Sequence, residues 1–571
     1  GLVSLMGFAG NRYTLPGVIL WAGSLCCVLL AHRPSDFRLN RRRFPIRVQL
    51  SLPDLVVLFS VLLGGFFRLY RIHTLPLEMG CDLPLIHANI AQILGGDFPI
   101  FFESHPGREG LFFYLAAPIA AVAGLSHTSI KVAAALTGML TIPVVYRLGR
   151  EMFDPWTGAL AAFLLSFSHW HIILSRVGYR AILMPLLVSL SLLFLVRGLK
   201  TGKDIHYVLS ALFAGLGLQS YNAFMVVPPV LGLALVLARL LSRRWQLAIH
   251  WRQAVLWAIV VLLAALPLLS YVLENPQRYV YRAATRVTSI ESELPESPAL
   301  TWLGNAGKAA AMFHYQGDSI YVNNVPRHRQ LGFVTAIFLA FGAVYSVLRV
   351  RRHQVWLLWL LLAGTMLPST LALAFPDEVP SAVRSIGALP FAMLITAIGL
   401  RAAGAWLVRA WSRGPDSTAS HSSTRTLAVV LGTILFAGLA MEILSVYPLY
   451  FERYAMAQPL QNQSISLEMA RTIDDFADDG EAYILRAAHW YDGNAVRAQF
   501  KRTPRQWSNE LMALEPGKPP LNGEAGKVLV ILHPDAREAL ELLEHSFEKQ
   551  IVLEHRWKDG SLAFKAFYGE R

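Results

Sequence analysis

Apolar residues run along most of this chain in long, nearly unbroken stretches, rather than recurring at the three-to-four-residue interval of a half-buried helix. About 20 mostly apolar residues suffice for a helix to cross a bilayer. Stretches of that kind lie at 14–31, 53–70, 128–146, 155–172, 181–196, 205–220, 222–238, 253–273, 331–348, 355–374, 386–408 and 427–447. They predict about twelve transmembrane helices, several interrupted by Pro or Gly that neighbouring helices can accommodate. A further apolar run, 110–126, is parted from the next only by Ser126-His127 and predicts a helix lying at the interface. The pattern changes at Tyr450. Residues 451–571 are polar and mixed in charge, with strand-like runs at 482–487, 527–532, 550–556 and 561–568. Between them, Asp535 to Phe547 predicts an amphipathic helix with Leu540, Leu542 and Leu543 on its apolar side. The expected fold class is a polytopic α-helical membrane protein with a C-terminal extracytoplasmic α/β domain. Its parts are an extra helix and basic loop at 1–50, a transmembrane module at 51–449 and the soluble domain at 450–571.

Composition agrees and closes other classes. A chain of 571 residues would as a soluble protein suggest about four domains. With 54% hydrophobic and 16% charged residues it is no ordinary globular protein, and three cysteines make no disulfide scaffold. Cys26 and Cys27 fall inside a predicted span, and Cys81 stands alone. Charge is the surprise: 51 Lys and Arg against 38 Asp and Glu leave a net +13. Sorted by loop, much of that excess (Arg38 to Arg43, Arg147, Arg150, Arg197, Lys200, Arg243, Arg244, Arg349, Arg351, Arg352, Arg409, Arg413) falls on alternate sides of successive spans. That assigns a cytoplasmic face, with a Ser/Thr-rich linker at 415–425 on it, and places 71–127, 275–330, 375–385 and the tail outside. The run near residue 14 reads as an anchor rather than a cleaved signal. The basic residues are dispersed rather than gathered with stacking aromatics, so no nucleic-acid partner is indicated.

The first outer loop carries the densest chemistry. Asp82 follows a predicted span, and Arg108-Glu109 comes some 27 residues later beside the interfacial helix. Two carboxylates so placed can converge, one as a general base and the other holding a divalent cation or orienting its partner. A second group runs against the positive-inside trend: Arg176, Arg180, Arg282, Arg286 and Arg384 all fall outside or at outer helix ends. Arginine binds phosphate through planar, paired donors, and the spacing of Arg176 and Arg180 predicts one shared helical face. The alternative for each is a guanidinium that snorkels to headgroups or pairs with a nearby acid. His105 and Arg108, Tyr221 in a short outer turn, and Asp318 are candidate acceptor or sugar contacts, although a loop Asp is also a common turn former. His169 and His171 point to different helix faces and read as hydrogen-bonding groups.

Taken in order, these segments resemble the GT-C superfamily, specifically the family of protein O-mannosyltransferases and bacterial aminoarabinose transferases. Asp82 matches the acidic motif opening the first outer loop, and Arg108-Glu109 matches the acid that introduces the following helix. Tyr146-Arg147-Leu148, Ser168-His169-Trp170-His171, Ser175 to Arg180, Met312 to Asp318, Asn323 to Pro326 and Val383 to Pro390 extend the likeness over roughly 70% of the chain. Leu83, Gly110 and Met184 depart from it, standing where relatives commonly carry Glu, Pro and Asp.

The resemblance implies a glycosyltransferase of the cytoplasmic membrane, working on its outer side. It would move a sugar from a polyprenyl-phosphate donor to an acceptor hydroxyl on a protein, glycan or lipid, with inversion, Asp82 as base and arginines on the leaving phosphate. A divalent cation held by Asp82 and Glu109 is a further expectation, as is contact with membrane lipids or a larger membrane complex. The competing reading is a degenerate GT-C scaffold that serves as a structural or lipid-binding subunit. A transporter fits less well, since no internal repeat is evident.

Overall fold

The computed structural model describes residues 7–8, 10–33, 50–80, 82–104, 107–349, 352–412, 419–476, 480–487, 490–500, 507–511 and 527–570. Cys81, His105, the basic run 38–43 and part of the 415–425 linker lie outside the described residues.

Each of the twelve apolar runs is helical. In chain order the helices are α1 (Leu15–Ala31), α2 (Leu52–Leu69), α3 (Leu83–Leu94), α4 (Leu111–Ala123), α5 (His127–Met152), α6 (Pro155–Phe167), α7 (His169–Val177), α8 (Leu183–Thr201), α9 (Asp204–Leu218) and α10 (Val227–Leu240). There follow α11 (Trp251–Ala264), α12 (Leu266–Glu274), α13 (Pro276–Val287), α14 (Pro298–Ala311), α15 (Phe333–Val347), α16 (His353–Thr370), α17 (Leu389–Ser412) and α18 (Ala419–Pro448).

They are not twelve straight spans. Among the described residues six helices are long and apolar enough to cross a membrane, and eight if two bent pairs each count as one. The pairs are α6 with α7, bent by 57°, and α11 with α12, bent by 68°. Pro267, in the first turn of α12, has no N–H to continue the ladder of α11. Helices α1, α9 and α15 are shorter. Hydropathy counts apolar residues but does not see where a helix breaks.

Small residues bring the central helices together. A Cβ on Gly158 would lie 2.4 Å from the carbonyl oxygen of Tyr146, and one on Gly149 2.6 Å from the Cα of Gly158. Only glycine permits α5 and α6 to approach so closely. The core they form is continuous with α7, α8 and α17, whose inward faces are buried.

The tail folds around a five-stranded sheet. Its strands β3 (Glu481–Leu485), β4 (Trp507–Leu511), β5 (Lys527–Leu532), β6 (Lys549–Arg556) and β7 (Leu562–Glu570) lie in the order β4-β3-β5-β7-β6. The β3–β4 and β3–β5 pairs are parallel, whereas β5–β7 and β7–β6 are antiparallel. Four strands coincide with the runs read from the sequence, and the expected helix is α21 (Arg537–Ser546). Strand β4 and the helices α19 (Ile465–Phe476) and α20 (Gly493–Gln499) were not anticipated. Helix α20 packs on α3, with Ala495 and Ala498 joining the membrane-helix core. Asn462 donates to Thr74 O and accepts from Leu77 N, fastening the tail to the first loop.

Candidate active site

Asp82 is the N-cap of α3, where a side chain ordinarily accepts hydrogen bonds from the second or third helical residue. The second is Pro84, which has no N–H, and the Asp82 carboxylate makes no cap bond. It faces Arg108 instead, whose Nη2 donates to Oδ1 at 2.9 Å. Arg108 reaches that position on a two-stranded ribbon, β1 (Phe101–Phe102) paired with β2 (Arg108–Glu109). Its turn needs Gly107, at φ +91°. The guanidinium is fully buried and its Nη1 donates to Ser104 O and Oγ, while the carboxylate side chain remains 36% exposed. Glu109, next on the strand, points to Arg180, with Oε2 3.4 Å from Nε and both side chains buried.

The two carboxylates therefore share one neighbourhood, as their spacing suggested, but each faces a guanidinium. Burial acts to raise the Asp82 pKa. The charges of Arg108, Arg180 and Arg282 outweigh it and hold the carboxyl below its ordinary value. Among the described residues no group of three His, Cys, Asp or Glu side chains is arranged to hold a metal. A divalent cation does not fit between Asp82 and Glu109 as they stand, because arginines already supply their positive charge.

A second cluster adjoins the first. Glu378 accepts from Arg384 Nη2 and lies 3.4 Å from Arg286 Nη1, so one acid serves both arginines. Arg286 also stacks on Phe375, 4.2 Å from the ring centre. Arg282 acts electrostatically on Arg286 as well as on Arg180 and Asp82, which ties the clusters into one positive zone. Among the described residues, four buried donors there have no hydrogen-bond partner: Arg108 Nε, Arg180 Nε and Nη2, and Arg384 Nη1. Glu378 was missed by sequence reasoning. It lies six residues before Arg384, a cue that was available, but its other partner is 92 residues away.

Several expected site residues have other work. Arg176 does not share a face with Arg180, because α7 ends at Gly178, φ +99°, and Arg180 starts a separate 3-10 turn. Fully buried, Arg176 donates to the carbonyls of Phe67 and Tyr70 and to the Tyr450 hydroxyl, each at 2.8 Å. It ties α2 to α7, and its Nη2 lies 3.5 Å from the Leu75 carbonyl oxygen. Asp318 is likewise spent: Oδ2 accepts from Ala382 N and Asn323, and Oδ1 from Ile320 N. It locks the 318–323 loop to the loop at Ala382 and is the turn former of the alternative reading. Tyr221 packs against Arg180, 5.4 Å from ring centre to guanidinium carbon. His169 contacts Arg329 O and His171 contacts Arg68, so the two histidines serve separate places.

The departures from the family pattern are buried. Leu83 is 1% exposed and close to Gly178, and Met184 is fully buried against Gly387. Acids at these positions would be buried and would need counter-charges.

Over residues 104–271, which include Arg108, Glu109 and Arg180, the chain matches the family model for dolichyl-phosphate-mannose-protein mannosyltransferase. No curated protein matches it by sequence. Among solved structures, ArnT from Cupriavidus metallidurans bound to undecaprenyl phosphate is similar at a TM-score of 0.56 and 13% identity, over 90% of this chain and 97% of that one. AglB, the archaeal oligosaccharyltransferase from Archaeoglobus fulgidus in complex with an inhibitory peptide and a dolichol-phosphate, gives 0.48 and 13%, over 80% of this chain and 64% of that one. The ArnT likeness is one of fold, and the AglB likeness is too weak to build on. The resemblance to GT-C enzymes of the protein mannosyltransferase and aminoarabinose transferase type is thus supported by a sequence match and a shared fold.

Proposed function

We propose that this protein is an integral-membrane glycosyltransferase that moves a sugar from a polyprenyl-phosphate donor to an acceptor hydroxyl, at a site centred on Asp82 on the extracytoplasmic side. One observation carries the reading: a partly exposed carboxylate paired with Arg108 stands beside a zone of buried and half-buried arginines with unpaired donors. A base and a pre-set anion site are the two demands of the reaction.

In the proposed step the acceptor oxygen attacks the anomeric carbon as the bond from that carbon to the phosphate oxygen breaks. The hydroxyl proton passes to Asp82, and attack opposite the leaving group inverts the configuration. Arg108, held by Ser104, fixes the carboxylate's direction. The polyprenyl phosphate leaves with its electron pair, and Arg180, Arg282, Arg286 and Arg384 supply the positive potential that stabilises it. Because those groups are placed before reaction, little reorganisation is needed. Glu109 holds Arg180 and keeps the zone from accumulating unbalanced charge.

The competing reading is a non-catalytic GT-C scaffold. What favours it is the packing of Leu83 and Met184 into the core where relatives carry acids. A single experiment separates the two. Purified protein in vesicles, given a polyprenyl-phosphate sugar and an acceptor extract, is expected to release polyprenyl phosphate, and Asp82→Asn to reduce that release by about 10²-fold or more. Undiminished release by the Asn variant refutes Asp82 as base; no release by wild-type protein over a range of sugars supports the scaffold.

A further inference from the structure

Away from the Asp82 zone, a cavity of about 750 Å³ opens between α15, α17 and α18. None of Asp82, Arg108, Glu109, Arg180, Arg282, Arg286 and Arg384 lines it. Its walls include Leu407, and Trp406, Leu431, Phe333, Ile337, Ile434 and Met441 are exposed along it. Large apolar side chains exposed on membrane-crossing helices face lipid, so the groove is open sideways to the bilayer. Helix α18 is loosely held by protein: only 11% of the most apolar window of its span is buried.

The other end of the groove is polar and basic. Ser168, His169, His328, Arg329 and Arg453 line it, where α15 begins and α18 ends, on the same membrane face as Asp82. Neither Arg329 nor Arg453 has a carboxylate within ion-pair distance among the described residues. Glu442, the acid in the wall, is committed elsewhere: its carboxylate accepts from Val334 N, Thr335 N and the Thr335 hydroxyl, capping α15. Ser168 is 7% exposed, and its hydroxyl has no hydrogen-bond partner. Burial together with the charges of Arg453 and Arg329 pushes His328 down to about 4, so it is neutral near pH 7 and able to accept or donate. The mouth thus joins two cations without a carboxylate partner, Arg329 being held by the Leu331 carbonyl, to neutral hydrogen-bonding groups above an apolar trough.

We propose that this groove is a second lipid site, which holds an acyl chain of an anionic phospholipid from the surrounding leaflet with its phosphate at Arg329 and Arg453. Charge complementarity selects the headgroup, and the sideways opening admits a lipid of the bilayer itself. Since no residue of the Asp82 zone reaches the groove, the occupant is not a reactant. It fills the gap between α18 and the bundle and steadies the junction to the tail.

The test uses the full-length protein in detergent, titrated with phosphatidylglycerol or phosphatidylcholine of equal chain length and read by native mass spectrometry. Wild-type protein is expected to retain one phosphatidylglycerol with about tenfold preference over phosphatidylcholine. The R329Q/R453Q double variant is expected to lose that preference. Ile434→Trp, which fills the trough and spares the cations, is expected to weaken retention of both lipids. Equal retention of the two lipids by wild-type protein, or an unchanged preference in R329Q/R453Q, overturns the proposal. So does displacement of phosphatidylglycerol by an equal amount of undecaprenyl phosphate that depends on both arginines, because the occupant is then a polyprenyl phosphate.

Discussion

Arg108 Nη2 donates to Asp82 Oδ1 across 2.9 Å, and the guanidinium is wholly buried while the carboxylate keeps a solvent-facing side. A buried cation presenting an exposed anion is a directional arrangement. One oxygen of the acid is occupied, and the side chain remains partly exposed.

The pH profile follows from this contact. Asp82 has a folded pKa below its ordinary value, so the carboxylate persists to lower pH than a free one. A depressed pKa contributes stability that is present above the unfolded value and lost as pH falls through the folded one. If Asp82 is the base, sugar transfer in wild-type protein should persist to pH values below the ordinary carboxylate range. In Arg108→Gln burial is no longer offset to the same degree, so the acid limb should move to higher pH. Initial rates between pH 3 and 8 decide the point, and coincident acid limbs in the two proteins would sink the pairing.

Arg384 tests the anion zone. Its removal takes away one buried unpaired donor and one partner of Glu378. Arg384→Ala should raise the donor KM by roughly tenfold or more, the scale of a charge-assisted hydrogen bond. The melting temperature should change little, because the residue sits at a loop. An unaltered donor KM would remove Arg384 from the phosphate site.

Arg176 is expected to behave oppositely. In Arg176→Ala the Phe67 and Tyr70 carbonyls lose their buried donor, at about 1–3 kcal/mol for each group left unpaired. The melting temperature should fall steeply, and the protein that remains folded should bind donor with wild-type KM. A stable variant with a raised donor KM would restore Arg176 to the phosphate set.

Leu83→Glu reinstates the acid common among relatives in a pocket that is 1% exposed beside Gly178. Burying the charge is costly, so thermal stability should fall and added divalent cations should not recover it. Recovery by Mg²⁺ or Mn²⁺ would show that the fold still accommodates a metal there.

Much of this was legible beforehand. The first outer loop, the acid at 82 and the acid at 109 stand out because carboxylates are conspicuous beside apolar runs, and Arg180 pairs with Glu109 while its charge also acts on Asp82. The arginines were harder to read. All five stood out as cations on the uncommon side, yet Arg176 and Arg180, one helical turn apart, were grouped by spacing and separated by a helix break at Gly178.

What the sequence by itself determined is whatever depends on local free energy. Transfer of apolar side chains from water sets which segments are helical and membrane-facing, and alternation with turn residues sets most strands of the tail. Where a helix bends was less clear, because a bend depends on what packs against it. Tertiary structure alone decided which cation meets which acid. Arg108 finds Asp82 across 26 residues, Arg286 finds Glu378 across 92, and Arg176 finds Tyr450 across 274. Each guanidinium is chemically the same, so what it can do follows from the acceptors that packing places around it.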